Sequence, residues 1–225
     1  MAGSAPPRGR SPGLPPAGTD LRVIYGSPAE PSNEVARHGA LWAPPEGREL
    51  ALIISPSAVN LGYILRSIPH SSFKMDTFND RLRLQKLVYM VEAFGVYLGY
   101  DYSWYLRGPY CTSLARAGFE LEQIASEIPP HAKAEFMYSE TQQKFKRATR
   151  FIRSIMDDPD DLTRLEIASS LHLLVVTTNM AKPDIISRVI SKMSGLDINR
   201  DFLSRSCEDM WRKLCKEDLI PDERK

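Results

Sequence analysis

The chain lacks the short motifs that usually announce catalysis or a bound metal ion. It has only four histidines among 225 residues, and none of them forms an HExxH motif or a cluster with Cys and Asp. A phosphate-binding loop, a GxGxxG and a GxSxG are also missing. We therefore predict that the protein is not an enzyme and that it holds no metal ion and no cofactor.

Cysteine and long apolar runs are scarce as well. The chain has three cysteines, Cys111, Cys207 and Cys215. None of them belongs to a CxxC motif, and an odd number cannot all form disulfide bonds within one chain. They are typical of small apolar residues in a reducing compartment, which predicts a cytoplasmic location. No signal-peptide pattern is visible, and Ser and His interrupt the longest apolar stretch, 168–176. We expect no membrane association.

The chain has no excess of charge of either sign. Lys and Arg number 29 against 28 for Asp and Glu, which gives a net charge of +1. No overall field attracts the protein to nucleic acid, so any such binding would need a local patch.

Proline and glycine divide the chain into three parts. Residues 1–50 contain nine Pro and seven Gly without a sustained apolar period, which predicts a disordered tail with at most a short strand near 21–25. Residues 51–78 are interpreted as a linker with a short helix near 59–68. From Met75 onward the sequence has the regular apolar patterning of a folded domain, which the part before it lacks. Two hypotheses therefore stay open: that the natural start is Met75, with the part up to residue 74 a gene-model artefact, or that the tail is genuine.

Residues 79–220 are predicted to form one helical domain. A helix capped by Asn79 or Asp80 should run to about residue 97, with an apolar stripe at Leu84, Leu87, Val88, Val91 and Phe94. Later helices are expected over 112–128, 141–156, 161–178 and from Pro183 and Asn199 onward. The expected core residues are Leu87, Val91, Leu121, Leu171, Val175, Ile186 and Trp211.

Two short extended segments complete the predicted fold. Tyr100–Leu106 is rich in aromatic residues, and Glu135–Ser139 is a second strand candidate that could pair with it as a wing. The fold class is therefore mainly α (α+β), a helical domain with a small winged-helix-like β element.

The aromatic segment and the turn after it are the first candidate binding site. Alternation places Tyr100, Tyr102 and Trp104 on one side of a strand and Tyr105 on the other. One interpretation is a core wall beside two helices; the other is a partner-binding surface with aromatic anchors. The candidate residues are Tyr102, Trp104, Tyr105, Gly108, Pro109 and Tyr110.

A basic helix face is the second candidate. Five cations fall within ten positions, at Lys144, Lys146, Arg147, Arg150 and Arg153. They could neutralise nucleic-acid phosphates, or they could form an ordinary solvated face. The candidate recognition helix 112–128 carries Arg116 among Glu120, Glu122 and Glu127, and an acidic helix is a poor reader of DNA.

The stretch LQKLVYMVEAFG…YDYSWYLRGPYCTSLARAGFEL resembles the YwgA-like proteins, which are distantly related to the Panacea-type antitoxin domain. The residues that carry this likeness are Leu84, Gln85, Lys86, Leu87, Tyr89, Trp104, Tyr105, Gly108, Pro109, Tyr110 and Leu114. The Panacea-type relatives act as antitoxins or proteolysis adaptors that bind protein toxins. The resemblance thus implies an interaction module, and it departs from the family at Cys111, where a cap Ser is usual.

Two local expectations follow at this motif. Gln85 should bond the backbone near the Gly-Pro-Tyr turn, and Thr112 or Ser113 should cap the second helix in place of Cys111. The function we expect is a non-catalytic module that binds a protein partner. The alternative is a winged-helix-like DNA-binding transcriptional regulator. The sequence predicts no oligomeric state.

Overall fold

The computed structural model describes residues 21–22, 56–156, 158, 162–193 and 199–224. Seven α-helices lie in these ranges: α1 (Pro56–Arg66), α2 (Phe78–Ala93), α3 (Thr112–Gln123), α4 (Ser139–Ile155), α5 (Thr163–Thr177), α6 (Lys182–Met193) and α7 (Arg200–Lys216). The strands are β1 (Leu21–Arg22), β2 (Ser103–Tyr105), β3 (Gly108–Tyr110) and β4 (Glu135–Phe136), and a 3₁₀ turn covers Asp222–Arg224. The prediction of a mainly α fold with a small β element is confirmed.

Helix α2 begins at a reciprocal cap that the sequence prediction placed two to three residues too late. Thr77, rather than Asn79 or Asp80, is the N-cap: its Oγ1 accepts from the Asp80 backbone N–H at 3.0 Å. The Asp80 carboxylate accepts from the Thr77 N–H at 2.9 Å, which closes a capping box. The helix ends at Ala93 and not near 97, because Gly95 adopts a φ of +84° that the helix cannot continue.

Helix α5 is the centre of the domain, and its sequence is apolar almost all round. It contacts α2, α4, α6, α7 and strand β3. All seven predicted core residues are buried, and so is the whole α2 stripe. The apolar periodicity of the sequence therefore identified the core correctly.

Helix α1 belongs to this core, which corrects the interpretation of 51–78 as a linker. The helix itself was expected, but Leu61, Ile64 and Leu65 are buried and α1 packs on α3. The two helices approach closely at Gly62, where a Cβ would lie 2.9 Å from Leu121 Cδ1. A linker would leave this apolar surface in water.

The strands form two separate two-stranded antiparallel sheets. Strand β2 pairs with β3 through Ser103–Tyr110, Trp104–Pro109 and Tyr105–Gly108, and β4 pairs with β1 through Leu21–Phe136 and Arg22–Glu135. The predicted wing between 100–106 and 135–139 is therefore wrong. A two-residue connection, 106–107, lets β2 meet β3 at once, and such local closure costs the least chain entropy.

Two features of the tail and of the helices complete the architecture. The strand expected near 21–25 is present as β1, whereas the other predictions for residues 1–50 lie outside the described residues. Among the described helices, none combines the length and the apolar character needed to cross a bilayer.

Candidate functional site

Helix α2 turns a polar stripe toward the β2–β3 hairpin. Gln85, Lys86, Tyr89 and Glu92 are spaced i, i+1, i+4 and i+7, so they share one face of the helix. The first three are buried, and each side chain of the stripe bonds a different part of the neighbouring structure. The stripe thus anchors the segment that the sequence singled out.

Gln85 holds the end of the hairpin and the start of α3. Its Nε2 donates to the Cys111 carbonyl at 2.9 Å, and its Oε1 accepts from the Cys111 N–H at 2.8 Å. The predicted backbone role of Gln85 is confirmed. The predicted cap is not: Cys111 itself is the N-cap of α3 and makes no side-chain cap bond, while its Sγ lies 3.0 Å from Ser113 Oγ. Gln85 satisfies the Cys111 backbone groups instead.

Lys86 reaches the middle of the hairpin. Its Nζ donates to the Pro109 carbonyl at 2.7 Å inside the protein. Burial lowers the pKa of Lys86, the Glu166 carboxylate opposes that shift and the Arg107 guanidinium adds to it. Glu166 of α5 is buried and accepts from Arg107 through both carboxylate oxygens. Arg107 therefore pairs with a buried carboxylate of α5, and Lys86 lies close enough to feel the charge of both.

Gly108 is the point of closest approach between the hairpin and α5. Its φ is +85°, and an added Cβ would overlap Ser170 Oγ and come within 3.4 Å of Lys86 Nζ. Only glycine combines this backbone conformation with so little room. The Gly-Pro-Tyr motif is therefore a packing requirement at this site.

Tyr89 connects α2 to α5 through a second buried pair. Its hydroxyl lies 2.8 Å from His172 Nδ1. Burial lowers the pKa of His172 to about 4 and raises the pKa of Tyr89 well above its usual value. Both side chains are therefore neutral near pH 7, and one hydrogen bond joins them.

Glu92 shapes the loop that leads into β2. One carboxylate oxygen accepts from the N–H of Leu98 at 2.7 Å and of Tyr100 at 3.3 Å. Burial raises the pKa of Glu92, and these backbone bonds partly offset the rise. Burial, together with this nearby carboxylate, raises the pKa of Tyr102 well above its usual value.

This polar network is solvent-shielded, and neither of two surface grooves in the described structure is lined by its members. One groove lies at the start of α4 and the other between α6 and α7. Within the described residues, no group of three or more His, Cys, Asp and Glu side chains is arranged to hold a metal ion. The network instead fixes the hairpin.

The exposed apolar side chains Tyr105 and Leu106 at the hairpin tip, the half-buried Tyr110 of β3 and the exposed Phe78 at the start of α2 form what we call the tip patch. Tyr105 and Leu106 are 56% and 62% exposed, and the Tyr105 ring packs on the Tyr110 ring at 5.3 Å. Arg107 lies over the Phe78 ring at 5.6 Å and joins the two parts of the patch. The patch is rigidly held but faces solvent.

The other predicted aromatic-site residues lie on the inner side of the hairpin. Tyr102 and Trp104 are half-buried against the core, and Gly108 and Pro109 are buried. Arg188 of α6 covers the Trp104 ring at 5.7 Å. The core-wall interpretation therefore holds for the inner side of the segment, and the partner-binding surface stays a prediction for its outer side.

The basic residues all lie on α4, away from its buried face of Phe145, Ala148 and Ile152. Lys144 pairs with Glu140 at 2.6 Å, and Arg147 pairs with Glu217 at 3.3 Å while it covers the Phe94 ring. Lys146, Arg150 and Arg153 are exposed. The expected cationic face is present on the helix, with two of its five members in ion pairs.

Sequence reasoning missed Arg107, Glu166, His172 and the buried role of Lys86. A signal existed in α5, because Glu166, Ser169, Ser170 and His172 interrupt an otherwise apolar helix. Buried polar residues need partners, so this interruption could have predicted a polar contact. Their partners on α2 and the hairpin are distant in sequence and could not be read from spacing.

Comparison with known proteins gives no relative: no family model, no curated protein and no solved structure matches the chain.

Proposed function

We propose that the protein is a non-catalytic interaction module, similar to antitoxin or adaptor proteins, that binds a protein partner through the tip patch. The observation that carries this proposal is an exposed aromatic tip on a hairpin whose base is fixed by buried polar bonds. Tyr105 and Leu106 face solvent, while Lys86 holds β3 at Pro109 and Glu166 holds the turn at Arg107.

Such an arrangement suits binding for two physical reasons. Aromatic and arginine side chains are enriched at interface centres, where they bury much area with few rotatable bonds. A hairpin that is already fixed loses little conformational entropy when a partner binds. The exposed Arg188 beside Trp104 adds a cation at the rim, which favours a partner with an apolar pocket and an acidic edge.

The resemblance to YwgA-like proteins supports the same proposal. The quoted motif residues Gln85, Lys86, Gly108 and Pro109 are the ones that build the hairpin base. The winged-helix alternative has less support, because the strands expected to form its wing pair with other segments.

A capture experiment with paired variants tests the proposal. Full-length protein and Tyr105→Ser/Leu106→Ser would each be used to capture partners from native extract, with and without nuclease treatment. The control is Phe119→Ser/Val176→Ser, whose apolar side chains are 45% and 55% exposed and belong to neither the tip patch nor the α4 groove. We expect a stoichiometric protein with the wild type and the control, and its loss with the tip variant.

Two results would contradict this proposal. One is capture that disappears after nuclease treatment, which would indicate a nucleic-acid ligand. The other is a partner retained equally by both double variants, which would place the interface elsewhere. Circular dichroism of each variant would first establish that the fold is intact.

A further inference from the structure

Helix α4 carries four of its cations along one oblique ridge, the α4 row. Lys144, Arg147, Arg150 and Arg153 are spaced i, i+3, i+6 and i+9, so at 3.6 residues per turn the ridge winds around half of the helix circumference. Lys144 therefore borders the buried side of α4, whereas Arg150 and Arg153 lie on its outer side, with Lys146 one turn before Arg150. Like charges three and four residues apart repel one another on a helix, and Glu140 and Glu217 offset this repulsion only at Lys144 and Arg147. At 1.5 Å per residue the row extends about 13 Å along the helix.

A groove with two tyrosines lies at the N-terminal end of this row. Its volume is about 470 Å³, within the range of ligand sites, and Tyr97, Tyr138 and Lys144 line it together with Glu140. Tyr97 and Tyr138 are both exposed. Exposed aromatic rings beside a track of cations are the two elements by which proteins bind unpaired nucleotides.

We propose that the groove and the α4 row bind single-stranded nucleic acid, with bases against Tyr97 and Tyr138 and phosphates along Arg150 and Arg153. A single strand fits better than a duplex because paired bases hide the ring faces that a tyrosine can stack on. The outer face of the helix at Gln143, Lys146 and Arg150 has no apolar side chain to insert into an anionic membrane. Exposed Met137 and Tyr138 precede the helix, so the test includes vesicles as a second ligand.

Acidic residues near the row compete with a phosphate for its cations. Glu140 pairs with Lys144 and Glu217 with Arg147 at the partly exposed surface, and Arg147 also donates to the Glu217 carbonyl at 2.8 Å. Four aspartates, Asp157, Asp158, Asp160 and Asp161, follow Arg153 in the sequence. Exposed ion pairs are weak, so phosphate can replace either carboxylate. Glu140 is the one carboxylate on the groove, and its removal should strengthen binding.

Fluorescence anisotropy of the full chain with short, labelled, mixed-sequence oligonucleotides tests the proposal. The single strand, as DNA and as RNA, is compared with the same sequence as a duplex over a salt series. The variants are Tyr97→Ala/Tyr138→Ala and Arg150→Gln/Arg153→Gln. The control is Lys192→Gln/Arg205→Gln, which removes two exposed cations from α6 and α7.

We expect the wild type and the control to bind the single strand more tightly than the duplex. Loss of the two arginines should reduce the log–log salt slope by about 1.4, from roughly 0.7 per phosphate contact. Loss of the two tyrosines should weaken binding by roughly 5-fold or more at one salt concentration, because it removes stacking.

The site is refuted by any of three results: no binding to either single strand at low salt, equal affinity for the duplex, or equal weakening by the control variant. Binding to phosphatidylserine vesicles without binding to oligonucleotides would assign the row to a membrane instead. The site is separate from the tip patch, so Tyr105→Ser/Leu106→Ser should leave oligonucleotide binding unchanged.

Discussion

Gly108 is the residue at which the hairpin has least freedom to change. Its Ala variant would strain a φ of +85° and overlap Ser170 Oγ, whereas Gly99→Ala meets the same kind of φ, +86°, with nothing within 4 Å. We expect Gly99→Ala to lose about 1 kcal/mol from the strain alone, and Gly108→Ala to lose about 2–4 kcal/mol. Urea unfolding at neutral pH would measure both values.

A second substitution separates the two contributions at Gly108. Ser170→Ala removes the overlapping hydroxyl but leaves the backbone strain at residue 108. The Gly108→Ala/Ser170→Ala double variant should therefore be more stable than Gly108→Ala alone, and its loss of unfolding free energy should approach that of Gly99→Ala. If Ser170→Ala restores nothing, the approach of the hairpin to α5 is not the source of the cost.

Residue roles were predictable from the sequence where a local motif determines them. Gln85 lies beside an apolar stripe and twenty-six residues before Cys111, and its backbone role followed from the motif. The charge of Lys86 gave no sign of its burial, since its partners Pro109 and Glu166 come from two other elements. Long-range polar pairs of this kind have no periodicity for a sequence to reveal.

Among the elements, α1 is the one whose importance the sequence understated. Its burial against α3 means that a chain beginning at Met75 exposes Leu121 and Ile128, which pack around Gly62. We expect that chain to melt well below the full-length protein, or to lose cooperativity, because a large apolar surface becomes exposed. A chain beginning at residue 51 should melt close to full length, since it retains α1.

Differential scanning calorimetry of the two truncated chains would test this prediction. Equal melting temperatures for both would show that α1 contributes little to stability.

The pairing of strands was harder to predict than their positions. Strand β4 was expected, but its two-residue ladder with Leu21–Arg22 contains too few side chains for the sequence to specify its partner.

For the molecule as a whole, stability should depend on pH through His172. Its pKa falls from 6.5 to about 4 on folding because burial disfavours the charged ring. Between these two values the unfolded chain binds the proton and the folded chain does not, so stability is lost as the pH falls from 6.5 toward 4. The full loss would be on the order of 3 kcal/mol, at 1.36 kcal/mol per pH unit.

The His172→Gln variant isolates this effect, because an amide can still bond the Tyr89 hydroxyl without titrating in this range. Urea unfolding of both proteins at several pH values would give the difference curve. A constant difference between pH 6.5 and 4 would mean that the ring titrates alike in the folded and unfolded chains.

Eight consecutive residues of α2, 84–91, are buried, because one face packs in the core and the other bonds the hairpin. The segment therefore has no water-facing position at which a substitution is harmless. In diverging sequences we expect it to change more slowly than the exposed surface. Likeness to other proteins that is confined to this helix and the Gly-Pro-Tyr turn would then report a shared solution to a packing problem. The partners of such proteins would be free to differ, because the tip patch and the α4 row lie outside that constraint.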